Sequence, residues 1–332
     1  MLRFVAKRAL SLVVVLFFLT VTVFVLGKVG NADPVRTYVG VNASPEAIAR
    51  ARAELGLDEP VPVQFWNFLT GLFQGDLGVS LGTKRPIVDD LAGRFPATLE
   101  LALSAIALAV LIGVVLSSLY TRPGRFGAAV RVLFFGIASA PSFLVATAGV
   151  LIFYKQLHWL PAAGRSSHGP YGGGTGFFVL DGVLHGSPVY VLDALAHLLL
   201  PALAASIAPG VALARVLADG ITSAMASPWA RTARSLGESE PTILRRHALR
   251  NASSPALSLL AVQAGMMVSS LVVVEQIFSW NGLGSYLSLA IGIGDFPAIA
   301  AVSLILGAIF VVLNTLVDIA LAAVDPRVRL GS

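Results

Sequence analysis

The sequence of 332 residues is 56% hydrophobic and only 12% charged, with 23 Lys or Arg against 18 Asp or Glu and a mean hydropathy of +0.82. A soluble domain carries about 25% charged residues, so too few polar side chains exist to cover a water-solvated globule, and one membrane domain fits the length. No cysteine is present, which excludes disulfides, thiolate metal sites, iron–sulfur clusters and thiol nucleophiles.

About 20 apolar residues at 1.5 Å rise cross a hydrocarbon core of about 30 Å. Six stretches qualify as helices: Ala9 to Leu26; Leu101 to Tyr120; Val132 to Tyr154, with Pro141 inside; Val189 to Ala214, interrupted by Pro201 and Pro209; Pro255 to Ile277; and Ile299 to Val324. Prolines are tolerated in membrane helices where neighbours re-satisfy the freed backbone groups. The first stretch has a basic start and a small-residue site, Gly30-Asn31-Ala32, but its apolar run is longer than the 7 to 15 residues of a cleaved signal peptide. A retained helix is the expectation.

Positive charge then orients the chain. Arg3, Lys7, Arg8, Arg122, Arg125, Arg131, Arg231, Arg234, Arg245, Arg246, Arg250, Arg327 and Arg329 fall in short segments on one side, with Asp219, Glu238, Glu240 and Asp325 as their acids. Both termini are therefore expected in the cytoplasm. The net charge of +5 and pI near 9.8 reflect this topology rather than a nucleic-acid partner.

The organisation expected is a first helix in 1–27, an extracytoplasmic subdomain in 28–97, five helices in 98–324 with a cytoplasmic loop at 219–254, and a tail at 325–332. In the subdomain, Ser44 can cap a helix that starts at Pro45, runs to Leu55 and stops at Gly56. An amphipathic stretch, Val63 to Phe73, follows with Phe65, Trp66, Phe68, Leu69 and Leu72, read as the subdomain's core ahead of an interface anchor. Gln156 to Pro188 holds Gly164 to Gly174, a glycine density that predicts a flexible loop. In the cytoplasmic loop, Ser227-Pro228 opens a helix to Leu236, Gly237 ends it, and a second helix runs from Pro241 to about Asn251, short of Pro255. Trp229, Thr232, Ala233 and Leu236 share one face at helical spacing, with Arg231 and Arg234 elsewhere. Helices this short are unstable alone and need a membrane surface or a protein groove.

Trp229-Ala230-Arg231-Thr232-Ala233-Arg234-Ser235-Leu236-Gly237, followed by Arg246-His247-Ala248-Leu249-Arg250-Asn251 and Pro255, resembles the cytoplasmic EAA loop of permease subunits of binding-protein-dependent ABC importers, in the dipeptide/oligopeptide/nickel branch. Four more matches are similar in order and kind: Gly75-Asp76-Leu77-Gly78-Val79-Ser80; Arg94 to Leu101, with Phe95-Pro96-Ala97-Thr98 inside; Glu275 to Gly284, with Ser279-Trp280-Asn281-Gly282; and Asp325-Pro326-Arg327-Val328-Arg329. The acidic first position of the motif is Arg231 here and the second Thr232, so Ala233 and Gly237 carry the pattern. The resemblance implies an all-α type I importer permease with six membrane helices. It also implies a loop that docks in a groove of an ATPase and passes its closure to the membrane helices. Trp229, Arg231, Thr232, Ala233, Arg234, Leu236, Gly237, Arg246, His247 and Asn251 are the contact residues it suggests. No Gly-x-x-x-x-Gly-Lys-Ser/Thr phosphate loop occurs in the sequence, so the chain itself is read as non-catalytic, with ATP and Mg held by partner ATPases.

Glu275, 20 residues or about 30 Å past Pro255, reads as a solvated helix end, or else as a gate or binding-protein contact with Asp76 and Trp280. Asp193 and His197 at i, i+4 read as a local pair rather than a proton relay, and Asp318 with Asn314 as helix packing. Gly78-Val79-Ser80-Leu81-Gly82 fits the Gly-x-Ser-x-Gly pattern by accident, with no strand, helix, His or acid to support it. Five scattered histidines predict no metal. The expectation is a bacterial cell-membrane permease importing dipeptides or oligopeptides. It would work with a second similar permease, two ATPases, an extracytoplasmic binding protein and surrounding lipid. A nickel or other small-solute importer, a proton-coupled carrier and an intramembrane hydrolase are the alternatives.

Overall fold

The computed structural model describes residues 2–29, 35, 39, 43–54, 56–122 and 124–324. The tail motif at 325–329, Gly30-Asn31-Ala32, Leu55 and the side chain of Asp318 lie outside the described residues. Thirteen α-helices are followed here: α1 (Leu2–Val29), α2 (Pro45–Glu54), α3 (Val61–Gln74), α4 (Ile87–Tyr120), α5 (Arg125–Ala138), α6 (Ser142–Gly149), α7 (Phe178–Leu184), α8 (Pro188–Ala226), α9 (Pro228–Ser235), α10 (Glu240–Ile243), α11 (Leu249–Ile277), α12 (Leu283–Ile293) and α13 (Phe296–Val324). Among the described residues no strand forms, and Val79 and Pro86 make one isolated antiparallel bridge.

Helices α1, α4, α8, α13 and the run Glu240–Ile277 are each long and apolar enough to cross a membrane. The third expected span is not one helix: α5 and α6 are bent by 102°. Pro141 stands at the break with ψ 147, because proline has no N–H to continue a ladder and disfavours helix at the residue before it. Val150–Gln156 then extends α6 as a π-turn. Conversely, Pro201 and Pro209 do not interrupt α8, which runs unbroken for 39 residues. Likewise Pro255 sits inside α11, which joins α10 through a π-turn at Leu244–Ala248. The expected second loop helix is thus the start of a span.

The chain divides into two compact units. One holds Leu99–Trp280 with Met1–Arg8 and Phe310–Ser332, the other Ala9–Thr98 with Asn281–Ile309. In the first, α8 packs most extensively on α11, through Leu213, Leu217, Ala252 and Ala256. A Cβ on Gly220 would lie 2.9 Å from that of Ala252, and one on Gly113 2.7 Å from Leu213. Lipid tails are as apolar as Leu, so small residues that admit close backbones hold such crossings. Gly220→Val is therefore expected to cost about 1–3 kcal/mol through overpacking, read as a lower unfolding temperature in detergent. Gly292→Ala, with nothing within 4 Å of the new Cβ, should leave the unfolding temperature unchanged.

In the second unit, Ser44 Oγ accepts the Ala47 N–H at 3.2 Å and starts α2 as expected. The aromatic stretch divides: Phe65 and Phe68 lie 5.1 and 6.2 Å from Phe24 of α1, while Trp66 and Phe73 are exposed. No residue of α3 is fully buried, so the helix leans on α1 instead of forming a core. Asp295 opens α13: its carboxylate accepts from Ser80 Oγ at 2.6 Å, Gly82 N–H at 3.1 Å and Ala298 N–H at 3.2 Å.

Candidate functional site

The segment 227–251 is held by its own side chains. Ser227 has extended backbone (ψ 158) and its Oγ accepts the Ala230 N–H while donating to the Ala224 carbonyl at 2.6 Å. One serine thus ends α8 and begins α9, and Pro228 supplies a first helical residue with no N–H to satisfy. Ser227→Ala is expected to cost about 1 kcal/mol, seen as faster amide exchange across 228–236.

The α9 face expected to dock, Trp229, Thr232, Ala233 and Leu236, is not the one fully buried within the chain. Ala230 is fully buried and Trp229 and Ala233 are half-buried, whereas Thr232 and Leu236 are exposed, Leu236 by 79%. Thr232 Oγ1 donates back to the Pro228 carbonyl at 3.2 Å. Arg234 forks onto Glu240, with Nη2 3.0 Å from Oε2, and gives Nη1 to the Met225 carbonyl at 3.1 Å. That hydrogen-bonded carboxylate raises the guanidinium above its ordinary value. The rings of Trp229 and His247 stand 5.5 Å apart, and His247 Nε2 lies 3.6 Å from Glu238 Oε2. Gly237 turns the chain at φ 84, a left-handed conformation that costs residues with a Cβ.

The ten residues of the sequence-based set therefore separate. Trp229, Arg234 and His247 clamp the hairpin from within, and Ala233 is part of its packing. Arg231, Arg246, Leu236 and Asn251 face out, as do Arg245 and Arg250. The four guanidiniums of Arg231, Arg245, Arg246 and Arg250 make no side-chain hydrogen bond or ion pair with a described residue. The hairpin thus presents these arginines and an exposed leucine at its surface.

A second constellation lies in the same unit and was not anticipated. Arg165, within the glycine-rich loop, is 10% exposed and pairs with Glu100 (9% exposed) at 2.6 Å. Its Nη2 also donates to the Gly176 carbonyl at 2.7 Å, and its guanidinium lies 3.9 Å from the Phe178 ring and 5.6 Å from that of Trp280. Asp181 gathers Thr175 N–H and Oγ1, both at 2.7 Å, and Gly176 N–H at 3.1 Å. Asp193 gathers Ser166 Oγ at 2.6 Å and Ser167 N–H at 2.8 Å, with His168 Nδ1 at 3.4 Å. The loop is consequently an ordered strap around three carboxylates. Its glycines permit close approach, as at Gly174, where a Cβ would meet Asp181 Oδ2 at 2.5 Å.

Asp193 and His197 do meet, at 3.5 Å, though the shorter contact of His197 Nδ1 is to the Asp193 carbonyl at 2.9 Å. Glu275 and Trp280 are 0% and 1% exposed, which overturns the solvated-end reading; neither offers a surface to a soluble partner in this conformation. Asp76 is exposed and accepts the Gly78 N–H at 2.9 Å. Ser80 is fully buried and donates to Asp295, so it is a structural hydroxyl. In the second unit, Leu283 N–H donates to Thr98 Oγ1 at 2.7 Å and Arg94 Nη1 to Asn281 Oδ1 at 2.8 Å. Two of the motifs quoted above are thus tied to each other.

Residues 92–330 match the family model described as binding-protein-dependent transport system inner membrane component. The chain belongs to this family. Residues 1–102 match its N-terminal companion, binding-protein-dependent transport system membrane component, N-terminal. With five to six helices long and apolar enough to cross a membrane, this chain is a multi-pass membrane component of a transport system. It is 33% identical over 332 residues to the dipeptide transport system permease protein DppB of Alkalihalophilus pseudofirmus, covering 99% of this chain and 100% of that one. It is 34% identical to the probable D,D-dipeptide transport system permease protein DdpB of Escherichia coli K12, over 98% of this permease and 97% of the relative. To the glutathione transport system permease protein GsiC of Salmonella typhimurium it is 32% identical over 99% of both chains.

Proposed function

We propose that the chain is one half of the translocation pathway of an ATP-driven importer of dipeptides or oligopeptides, with both termini in the cytoplasm. The relatives named for dipeptide and glutathione transport, similar over nearly the whole chain, support peptide cargo. A second permease completes the pathway, two ATPase subunits bind ATP and Mg and dock on segment 227–251, and a binding protein delivers peptide from outside. The observation that carries the coupling reading is the clamped hairpin whose exposed face bears Arg231, Arg246, Leu236 and Asn251. Substrate moves when closure of the ATPases displaces that hairpin and, through it, α8 and α11. The exposed outer surfaces, including Asp76, receive the binding protein.

The test is reconstitution. Vesicles holding the chain with its co-purified partners should accumulate a radiolabelled dipeptide only with ATP and binding protein present. Uptake by the chain alone, driven by a proton gradient, would overturn the proposal in favour of a secondary carrier.

A further inference from the structure

A cleft of about 1060 Å³ opens between α4, α5, α8 and α11 of the first unit, large enough for a small ligand. Its wall carries Phe135, Tyr120, Gln263, Arg131, Arg215 and Asp219 among others. The polar groups there are poorly matched to one another. Arg131 gives one donor to the Tyr120 carbonyl at 3.0 Å and has no carboxylate partner among the described residues, although a guanidinium carries five donors. Tyr120 is 6% exposed and its hydroxyl has no hydrogen-bond partner among the described residues. Arg215 and Asp219 stand 4.0 Å apart, 69% and 77% exposed, a loose pair that water separates with little loss.

An uncompensated guanidinium beside an orphan hydroxyl fits an anion with planar oxygens. The amide of Gln263 and the carboxylate of Asp219 add a second requirement, since they suit a ligand that also offers amide and amino groups. A phosphatidylglycerol headgroup has no amino group to offer Asp219, and a short peptide has one.

We propose that this cleft binds the peptide cargo by its terminal carboxylate, with Arg131 as principal holder, Arg215 assisting and Asp219 facing the amino end. The inference rests on the peptide-importer reading and places a cargo site on this subunit alone.

The test uses the whole complex in nanodiscs, without binding protein or ATP, and a dipeptide carrying a diazirine side chain, as free acid and as C-terminal amide. The acid should crosslink to cleft residues, and the amide about tenfold less, as expected when one charge-assisted hydrogen bond is lost. Arg131→Gln should bring the acid down to the amide's level, with unchanged co-purification of partners as the folding control. Equal labelling by acid and amide, an unaffected Arg131→Gln variant, or labelling outside the cleft would each overturn the proposal. So would acid labelling that disappears when phosphatidylglycerol replaces phosphatidylcholine, which would assign the cleft to an anionic lipid. Uptake of the same dipeptide by the wild-type complex with binding protein and ATP is measured in parallel. No uptake strikes the importer reading; uptake with no cleft labelling strikes this inference alone.

Discussion

Arg165→Met is expected to destabilise the chain by about 3–5 kcal/mol, because it strands Glu100 as a buried charge without its partner. The pair is 2.6 Å apart with both side chains about nine-tenths covered, so water cannot take over. Among the described residues Glu100 would keep only the Val179 N–H, at 2.9 Å. The charge is the cause, not the shape: the double variant Glu100→Leu with Arg165→Met removes both ions and should recover most of the loss, since apolar replacements of buried pairs are often neutral. Thermal unfolding of all four members of the cycle, in one detergent, measures the coupling. A single variant within about 1 kcal/mol of wild type would mean the pair behaves as a solvated surface bridge, contrary to its burial.

Joint replacement of Arg231 and Leu236 by Glu should abolish ATP-driven uptake while leaving insertion and unfolding temperature at wild-type values. Both side chains are exposed and Leu236 lies 79% open, so nothing within the chain depends on them. An interface anchor commonly contributes about 2 kcal/mol or more, or about thirtyfold in affinity, and two reversed contacts exceed that. Retained co-purification of the ATPases with normal uptake would refute docking at this face. Arg234→Glu provides the contrast: it severs the clamp to Glu240 and Met225 and should loosen the hairpin first, seen in amide exchange, with uptake falling as a consequence. Gly237→Arg is a less selective probe. Nothing lies within 4 Å of its Cβ, but φ 84 strains any side chain placed there.

Length and apolarity were enough to find five of the spans, because each is a long stretch whose character averages over many residues. Capping chemistry was equally legible, since Ser44-Pro45 and Ser227-Pro228 act through neighbours in sequence. Proline was legible in part: Pro201 and Pro209 are tolerated inside α8 as expected, whereas Pro141 breaks a span and Pro255 does not separate two helices. The helix α12 was missed altogether, being 11 residues long and too short for a span, although Gly282 and Gly294 bracket an apolar run. Which residue of α9 packs inside the chain was not legible, because helical spacing marks the larger Trp229 and Leu236, while full burial goes to the small Ala230. Glu100 was passed over although it interrupts an apolar stretch, which is itself a signal. Its partner Arg165 is 65 residues away, inside a glycine run whose composition resembles that of a floppy loop.

The π-turn at Leu244–Ala248 and the proline at position 255 are the two irregularities noted along the run Glu240–Ile277. The π-turn sits near its first end, beside the hairpin that Arg234 clamps, and Pro255 lies 15 residues further in than Glu240, about 22 Å along the run. Beyond Pro255 the helix continues to Ile277 for about 33 Å and ends three residues before Trp280, under the Arg165 guanidinium. A single apolar run thus has the Arg234 clamp at one end and the Arg165 strap at the other.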